Sequence, residues 1–120
     1  MANILIVDDS PTDLYIYKNT LEGAGHHTIS ASSGEDGVKK AKDQRPDLII
    51  MDVVMEGMNG FQATRKLSQD PDTSNIPVVI ISTKDQYSDQ VWGKKQGACD
   101  YLIKPINEEE FLNKIASHLN

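Results

Sequence analysis

Short apolar segments recur along the chain at regular intervals. Four of them are almost entirely aliphatic and show no polar alternation, at residues 4–7, 48–51, 78–81 and 101–103. Strands covered by helices on both faces have this composition, so these segments are predicted to lie inside a parallel sheet. The segment at residues 27–31 is more polar and is predicted to form an edge strand.

Helical patterns lie between these strands, and the first has the clearest beginning. Ser10 suits the N-cap, Pro11 suits the first helical position, and Asp13 is predicted to be the acid of a capping box. The pattern stops at Gly25. The predicted apolar stripe of this helix consists of Leu14, Tyr17, Leu21 and Ala24.

The last helix is predicted to begin after Asn107, where three consecutive glutamates suit the positive end of the helix dipole. Its predicted apolar face consists of Phe111, Leu112, Ile115 and Leu119. Weaker patterns predict helices at residues 34–44, 61–68 and 86–96. Strands and helices thus alternate five times, which predicts an α/β fold with a doubly wound parallel sheet and a single domain over residues 1–120.

Composition narrows the possible functions. The formal net charge of -6 argues against nucleic-acid binding, which needs a basic surface, and favours a cation or a basic partner. The apolar segments are too short to span a bilayer and the first residues lack a signal-peptide pattern, so we expect a cytoplasmic protein without membrane insertion. The single cysteine, Cys99, is predicted to be a small buried hydrophobe.

Charged and hydroxyl side chains follow the predicted strands at their carboxyl ends. Asp8 and Asp9 follow the first strand, Asp52 the third, Ser82 the fourth and Lys104 the fifth. Three carboxylates at one edge of a sheet would repel one another by about 4 kcal/mol per close pair at an effective dielectric constant near 20. A bound Mg²⁺ would offset this repulsion, and a lysine and a hydroxyl beside it could hold a phosphoryl group.

Each of these residues also has a simpler interpretation. Asp8 and Asp9 could only complement a helix dipole, Ser82 could only satisfy backbone groups, and Lys104 could be a solvated lysine before a proline turn. The coincidence of all of them at one sheet edge favours the metal and phosphoryl site. Two aromatic residues stay open: Tyr101 is either a buried strand tyrosine or a moving switch, and Trp92 either covers the sheet or anchors a partner.

These residues carry a resemblance to a known family. With Asp8, Asp9, Asp52, Ser82 and Lys104 at the family's spacing, the chain resembles a CheY-like response-regulator receiver domain along its whole length. The resemblance implies a flavodoxin-like fold with five helices and a five-stranded sheet of order 2-1-3-4-5. It also implies that a histidine kinase transfers a phosphoryl group from its phosphohistidine to Asp52, and that the domain signals by binding another protein.

The resemblance further implies a role for each site residue. Asp9, Asp52 and the backbone carbonyl of Val54 would bind Mg²⁺ directly, and Asp8 would act through water. Lys104 would contact the phosphoryl group. Other implied features are movement of Ser82 toward that group, a rotamer change of Tyr101, and a cis bond between Lys104 and Pro105. The output surface would be the fourth helix, fifth strand and fifth helix.

A narrower resemblance covers residues 83–86, 91–98 and 100–102, which are similar to PilH-type regulators of twitching and pilus-based taxis. It implies a CheA-like histidine kinase and an output protein of the motility machinery as partners, and we expect a monomer. One departure is Glu56, which follows Met55 where the family commonly has proline. This added negative charge bears on metal affinity and on the rate of dephosphorylation.

Other functions remain possible at this point. A metal-dependent phosphatase resembling haloacid dehalogenases would also form an aspartyl phosphate, but its nucleophile lies in an Asp-x-Asp motif, whereas Asp8 and Asp9 are adjacent. The domain could instead be a binding module that does not respond to phosphate, or a sink that drains phosphate from a shared kinase. His26, His27 and His118 show no metal-ligand spacing and are predicted to be surface or edge residues.

Overall fold

The computed structural model describes residues 1–119, in which five parallel strands alternate with five helices. The strands are β1 (Asn3–Val7), β2 (His27–Ala31), β3 (Leu48–Met51), β4 (Val78–Ser82) and β5 (Asp100–Ile103). The helices are α1 (Pro11–Gly23), α2 (Gly34–Gln44), α3 (Gly60–Gln69), α4 (Tyr87–Lys95) and α5 (Glu108–Ser117). The strand order β2-β1-β3-β4-β5 confirms the predicted fold class and places β2 at an edge.

Apolar side chains cover both faces of the sheet. Leu5 and Val7 of β1 belong to one buried cluster, which includes residues of α3, and the alternate residues Ile4 and Ile6 belong to a second cluster that includes residues of α1 and α5. Successive residues of a strand point to opposite faces, so an uninterrupted apolar strand is buried only between two layers of helices. This arrangement accounts for the lack of polar alternation in the strands.

The register of the central strands brings their carboxyl ends to the same level. Val7 of β1 lies opposite Met51 of β3, and the Asp52 N–H donates to the Val7 carbonyl at 2.9 Å. At the other side of the sheet, the Lys104 N–H donates to the Ser82 carbonyl, also at 2.9 Å. The residues that follow β1, β3, β4 and β5 therefore emerge at one edge.

The predicted capping box of α1 is wrong. The Ser10 hydroxyl does accept a hydrogen bond from the Asp13 N–H, at 3.3 Å, but the Ser10 N–H donates to the carboxylate of Asp8 at 2.9 Å. The Asp13 carboxylate lies instead 2.7 Å from Lys104. The sequence pattern indicates a local hydrogen bond between the Ser10 N–H and the Asp13 carboxylate. In the structure Asp8 accepts the N–H instead, and Asp13 forms a long-range ion pair with Lys104.

Three predictions about helix and core residues also differ from the structure. Ala24 is exposed because α1 ends at Gly23, and Leu119 packs against the core only after α5 has ended at Ser117. Cys99 is exposed rather than buried. Its neighbour Ala98 points into the core, and successive residues of an extended chain point to opposite sides.

The described residues include no helix long and apolar enough to cross a bilayer.

Candidate functional site

Three carboxylates meet at the carboxyl edge of the sheet. Asp8 and Asp9 follow β1 and Asp52 follows β3, and one ligand oxygen from each lies within 4.8 Å of the others. Asp8 and Asp52 are only 1% and 6% exposed, whereas Asp9 is exposed. The predicted convergence of these three residues is confirmed. Oxygen ligands of this kind, from two buried residues and one exposed residue, suit a hard divalent cation that keeps part of its water shell.

The side chain of Lys104 extends into this cluster from the end of β5. Its Nζ atom lies 2.7 Å from Asp13, 3.1 Å from Asp8 and 3.2 Å from Asp52, and its side chain is 14% exposed. The next peptide bond, between Lys104 and Pro105, is cis. The ammonium donates hydrogen bonds to Asp13 and Asp8, and it contacts Asp52 as an ion pair.

Burial dominates the electrostatics of the phosphoacceptor candidate. Burial, and then the charge of Asp8, raise the pKa of Asp52 from its ordinary value of 3.8 to about 6, although Lys104 acts in the opposite direction. Burial also raises the pKa of Asp8, although the Ser10 N–H and Lys104 offset part of this shift. Asp52 is therefore ionised at neutral pH but at a cost that a bound cation would reduce.

For the Lys104 ammonium, the effect of neighbouring charges on the pKa outweighs the effect of burial. Burial by itself would lower the pKa of Lys104, but the carboxylates of Asp13 and Asp8 outweigh it and raise this pKa above its ordinary value of 10.5. Lys104 is therefore a permanent positive charge over the physiological pH range, with its ammonium beside the carboxylate of Asp52.

Ser82 and Tyr101 both bind the loop that joins β4 to α4. The Ser82 hydroxyl is buried and accepts a hydrogen bond from the Lys84 N–H at 3.1 Å. The Tyr101 hydroxyl donates to the Lys84 carbonyl at 2.8 Å, and its ring is part of the core. In this structure Ser82 thus satisfies a backbone group and Tyr101 is a buried tyrosine with a hydrogen-bonded hydroxyl, as the simpler interpretations describe.

The first residue of α3 and the loop before it approach the site through their backbone. Gly60 lies so close to the Asp52 carbonyl oxygen that an added Cβ atom would be 1.9 Å from it. The Glu35 carboxylate of α2 accepts the Met58 N–H at 3.2 Å and so ties this loop to α2. Glu56, the departure from the family pattern, is exposed.

The sequence interpretation missed Gly60, Glu35 and the contact of Asp13 with Lys104. Only Gly60 had a local signal, as a glycine at the start of a helix near the site. Glu35 and Asp13 act across long sequence separations that no spacing rule reveals. Trp92 is 51% exposed, so in this structure it does not serve to cover the sheet.

Comparison with known proteins identifies the family. The family model described as the response regulator receiver domain matches residues 4–116. The chain belongs to this family. Receiver domains are signalling domains rather than classical enzymes, they interact with histidine kinases and output proteins, and they bind Mg²⁺ at an acidic site. Family membership separates the chain from the phosphatases considered above.

Several curated receiver proteins are similar over most of this chain. Protein PilH of Pseudomonas aeruginosa is 56% identical over 115 residues, which cover 96% of this receiver and 95% of PilH. The polar-differentiation response regulator DivK of Brucella anthropi is 30% identical over 98% of this receiver and 95% of DivK. The transcriptional regulatory protein AfsQ1 of Streptomyces coelicolor is 34% identical, but the match spans only 46% of its length.

Solved structures of receivers superimpose closely. The chemotaxis protein CheY4 of Vibrio cholerae has a TM-score of 0.93 at 32% identity, with 99% of each chain covered. A putative response regulator from Chloroflexus aurantiacus has a TM-score of 0.94 at 30% identity, covering 98% of this receiver and 97% of that protein. These comparisons show the CheY-like form of the flavodoxin-like fold.

Proposed function

We propose that Asp52 accepts a phosphoryl group from the phosphohistidine of a histidine kinase and that the receiver then signals by binding another protein. The observation that carries this proposal is the pairing of a buried Asp52 carboxylate with Lys104 at 3.2 Å, in a cluster with Asp8 and Asp9. Clustered and buried acidic groups raise the free energy of the folded protein unless positive charge compensates them, so such a cluster indicates a functional site.

The proposed transfer needs an ionised nucleophile and compensation of charge on the phosphoryl oxygens. An oxygen of Asp52 forms a bond to phosphorus while the bond from phosphorus to the histidine nitrogen breaks, and the imidazole keeps the electron pair and takes up a proton. With a pKa of about 6, Asp52 is ionised at neutral pH and can attack. The Lys104 ammonium beside it offsets charge on the phosphoryl oxygens.

The residues of the cluster also fit a magnesium ion. Asp9, Asp52 and the backbone carbonyl of Val54 would hold it, with Asp8 acting through water. These are hard oxygen ligands, and the exposed position of Asp9 leaves room for the water molecules that Mg²⁺ retains. When bound, the ion supplies positive charge that reduces the repulsion among the carboxylates and offsets the charge of the phosphoryl group.

Phosphorylation would reach the partner surface through Ser82. Its hydroxyl would move to a phosphoryl oxygen and release the Lys84 N–H, which it now holds at 3.1 Å. That release would free the loop leading to α4 and favour a second rotamer of Tyr101, so that the equilibrium between two existing conformations shifts. The output surface of α4, β5 and α5 exposes two aromatic residues, Tyr87 and Trp92.

Motility control is the setting we propose. The 56% identity to PilH supports it, together with the resemblance of residues 83–86, 91–98 and 100–102 to PilH-type regulators. The partners would be a CheA-like histidine kinase and an output protein of the motility machinery.

Phosphorylation by a small acyl phosphate tests the proposal. With Mg²⁺ present, mass spectrometry of the intact protein should show one added phosphoryl group, and Asp52→Asn should abolish it. Asp43→Asn is the matched control, because Asp43 is exposed on α2 and should leave the reaction unchanged. Labelling that persists in Asp52→Asn would contradict the assignment of the phosphoacceptor.

A further inference from the structure

We infer that Asp13 is a positioning residue that competes with the phosphoryl group for Lys104. This inference rests on the proposed function, because it concerns the availability of the lysine for a phosphorylated Asp52. The contact between Asp13 and Lys104, at 2.7 Å, is the shortest of the three that the ammonium makes with carboxylates.

Lys104 donates two of its N–H groups to carboxylates other than the phosphoacceptor, to Asp8 at 3.1 Å and to Asp13 at 2.7 Å. An ammonium has three N–H donors, and Asp52 contacts this one at 3.2 Å as an ion pair. A phosphoryl group on Asp52 can therefore receive more than one hydrogen bond from Lys104 only if Asp8 or Asp13 gives up its own.

Asp13 is the partner that can be released at the smallest cost. Its side chain is 30% exposed, against 2% for Asp8 and 8% for Asp52, so water can replace the lysine around its carboxylate. A buried carboxylate that lost the lysine would remain without solvent, which costs far more. Exchange of Asp13 for a phosphoryl oxygen therefore sets how strongly Lys104 holds the phosphorylated state.

The carboxylate of Asp13 has no part in capping α1. The Ser10 hydroxyl accepts the Asp13 N–H, and the Ser10 N–H that a capping-box acid would accept donates to Asp8 instead. Changing the Asp13 side chain therefore leaves these two backbone hydrogen bonds in place.

The second helix offers a matched control. Asp36 occupies the same position of α2, where the Ser33 hydroxyl accepts its N–H at 3.0 Å. Its carboxylate pairs with Lys40 at 3.1 Å on the surface. Asp36→Ala thus removes the same charge and the same side chain from the same helix position without touching Lys104.

The test is a double-mutant cycle on the affinity for beryllofluoride, a phosphoryl mimic, measured by calorimetry with saturating Mg²⁺. Asp13→Ala should tighten binding about fivefold, a typical coupling between two contacting residues. In a Lys104→Ala background the same change should alter binding less than about twofold. Asp36→Ala should have no effect. Equal tightening with and without Lys104, or no tightening, would overturn the inference.

A second measurement keeps the inference separate from the proposed function. Without metal or mimic, the NMR signal of the Lys104 ammonium should shift and exchange faster with water in Asp13→Ala, but not in Asp36→Ala. An unchanged signal would overturn the inference about Asp13. Absence of beryllofluoride binding by the unaltered protein would instead contradict the proposed function, and the NMR result would still decide the role of Asp13.

Discussion

The Tyr101 hydroxyl donates a hydrogen bond to the Lys84 carbonyl at 2.8 Å, across the loop that joins β4 to α4. The Lys84 N–H donates to the Ser82 hydroxyl at 3.1 Å. Lys84 is an exposed loop residue, and its backbone N–H and carbonyl are therefore both hydrogen-bonded to side chains of the sheet. Because Ser82 is also the residue proposed to meet the phosphoryl group, this loop can respond to changes at the site.

Removal of the Tyr101 hydroxyl should weaken this attachment without affecting chemistry. Tyr101→Phe should lower the free energy of unfolding by about 1 kcal/mol, the usual contribution of one hydrogen bond, as measured by urea denaturation. Phosphorylation by an acyl phosphate should be unchanged. Tyr87→Phe is the control, because Tyr87 is 81% exposed and should change neither quantity. Loss of phosphorylation in Tyr101→Phe would show that this tyrosine serves the reaction itself.

The raised pKa of Asp52 predicts a pH-dependent stability difference. The folded pKa of about 6 exceeds the ordinary value of 3.8, so ionised Asp52 destabilises the folded protein above pH 6. In the presence of a metal chelator, Asp52→Asn should therefore increase the free energy of unfolding by about 3 kcal/mol at pH 8. The gain should shrink as the pH falls below 6 and vanish below the unfolded pKa.

Urea denaturation of both proteins between pH 3.5 and pH 8 measures this difference. Lys104 keeps Asp8 and Asp13 as partners in the variant, so the comparison isolates the cost of the Asp52 charge. A gain that is larger at acidic pH than at pH 8 would contradict the raised pKa.

Magnesium should stabilise the folded receiver by mass action. At ten times its dissociation constant the ion should raise the free energy of unfolding by about 1.4 kcal/mol. Asp9→Asn should reduce the response because it removes a proposed ligand, and the exposed Asp43 on α2 provides the control Asp43→Asn. Thermal unfolding with and without Mg²⁺ measures both effects. An equal response in Asp9→Asn would exclude Asp9 as a ligand.

The close approach of Gly60 to Asp52 predicts a strong effect of a single methyl group. A Cβ atom at residue 60 would lie 1.9 Å from the Asp52 carbonyl oxygen and 2.8 Å from the Val53 Cα, so backbone would have to move. Gly60→Ala should cost about 3 kcal/mol of stability, at the upper end for overpacking. Gly23→Ala should be neutral or slightly stabilising, because nothing lies within 4 Å of its added Cβ. Equal denaturation midpoints of the two variants would contradict this prediction.

Local patterns predicted the elements of this fold closely. The bounds of β2, β3 and α2 agree with the predicted segments residue for residue. The apolar runs and helix signals that define these elements depend on neighbours within a few positions, so they are visible in the chain itself. Convergence of Asp8, Asp52 and Lys104 followed from a rule about parallel sheets, because residues after successive strands must emerge at the same edge.

Such rules could not predict contacts between segments that are far apart in the sequence. The capping box predicted for α1 failed because Asp8 and Lys104, one before the helix and one 91 residues after Asp13, bind the groups that the box would use. Cys99 looked like a core residue by type, yet the buried position of its neighbour Ala98 directs it outward.

The amino-acid sequence by itself determined the order of strands and helices and the identity of the residues at the sheet edge, because periodicity and chain order are local properties. Tertiary structure alone decided which carboxylates share the ammonium of Lys104, how deeply each is buried, and hence the raised pKa of Asp52. Those quantities depend on distances and solvent access between segments far apart in the chain, which exist only once the sheet has closed around them.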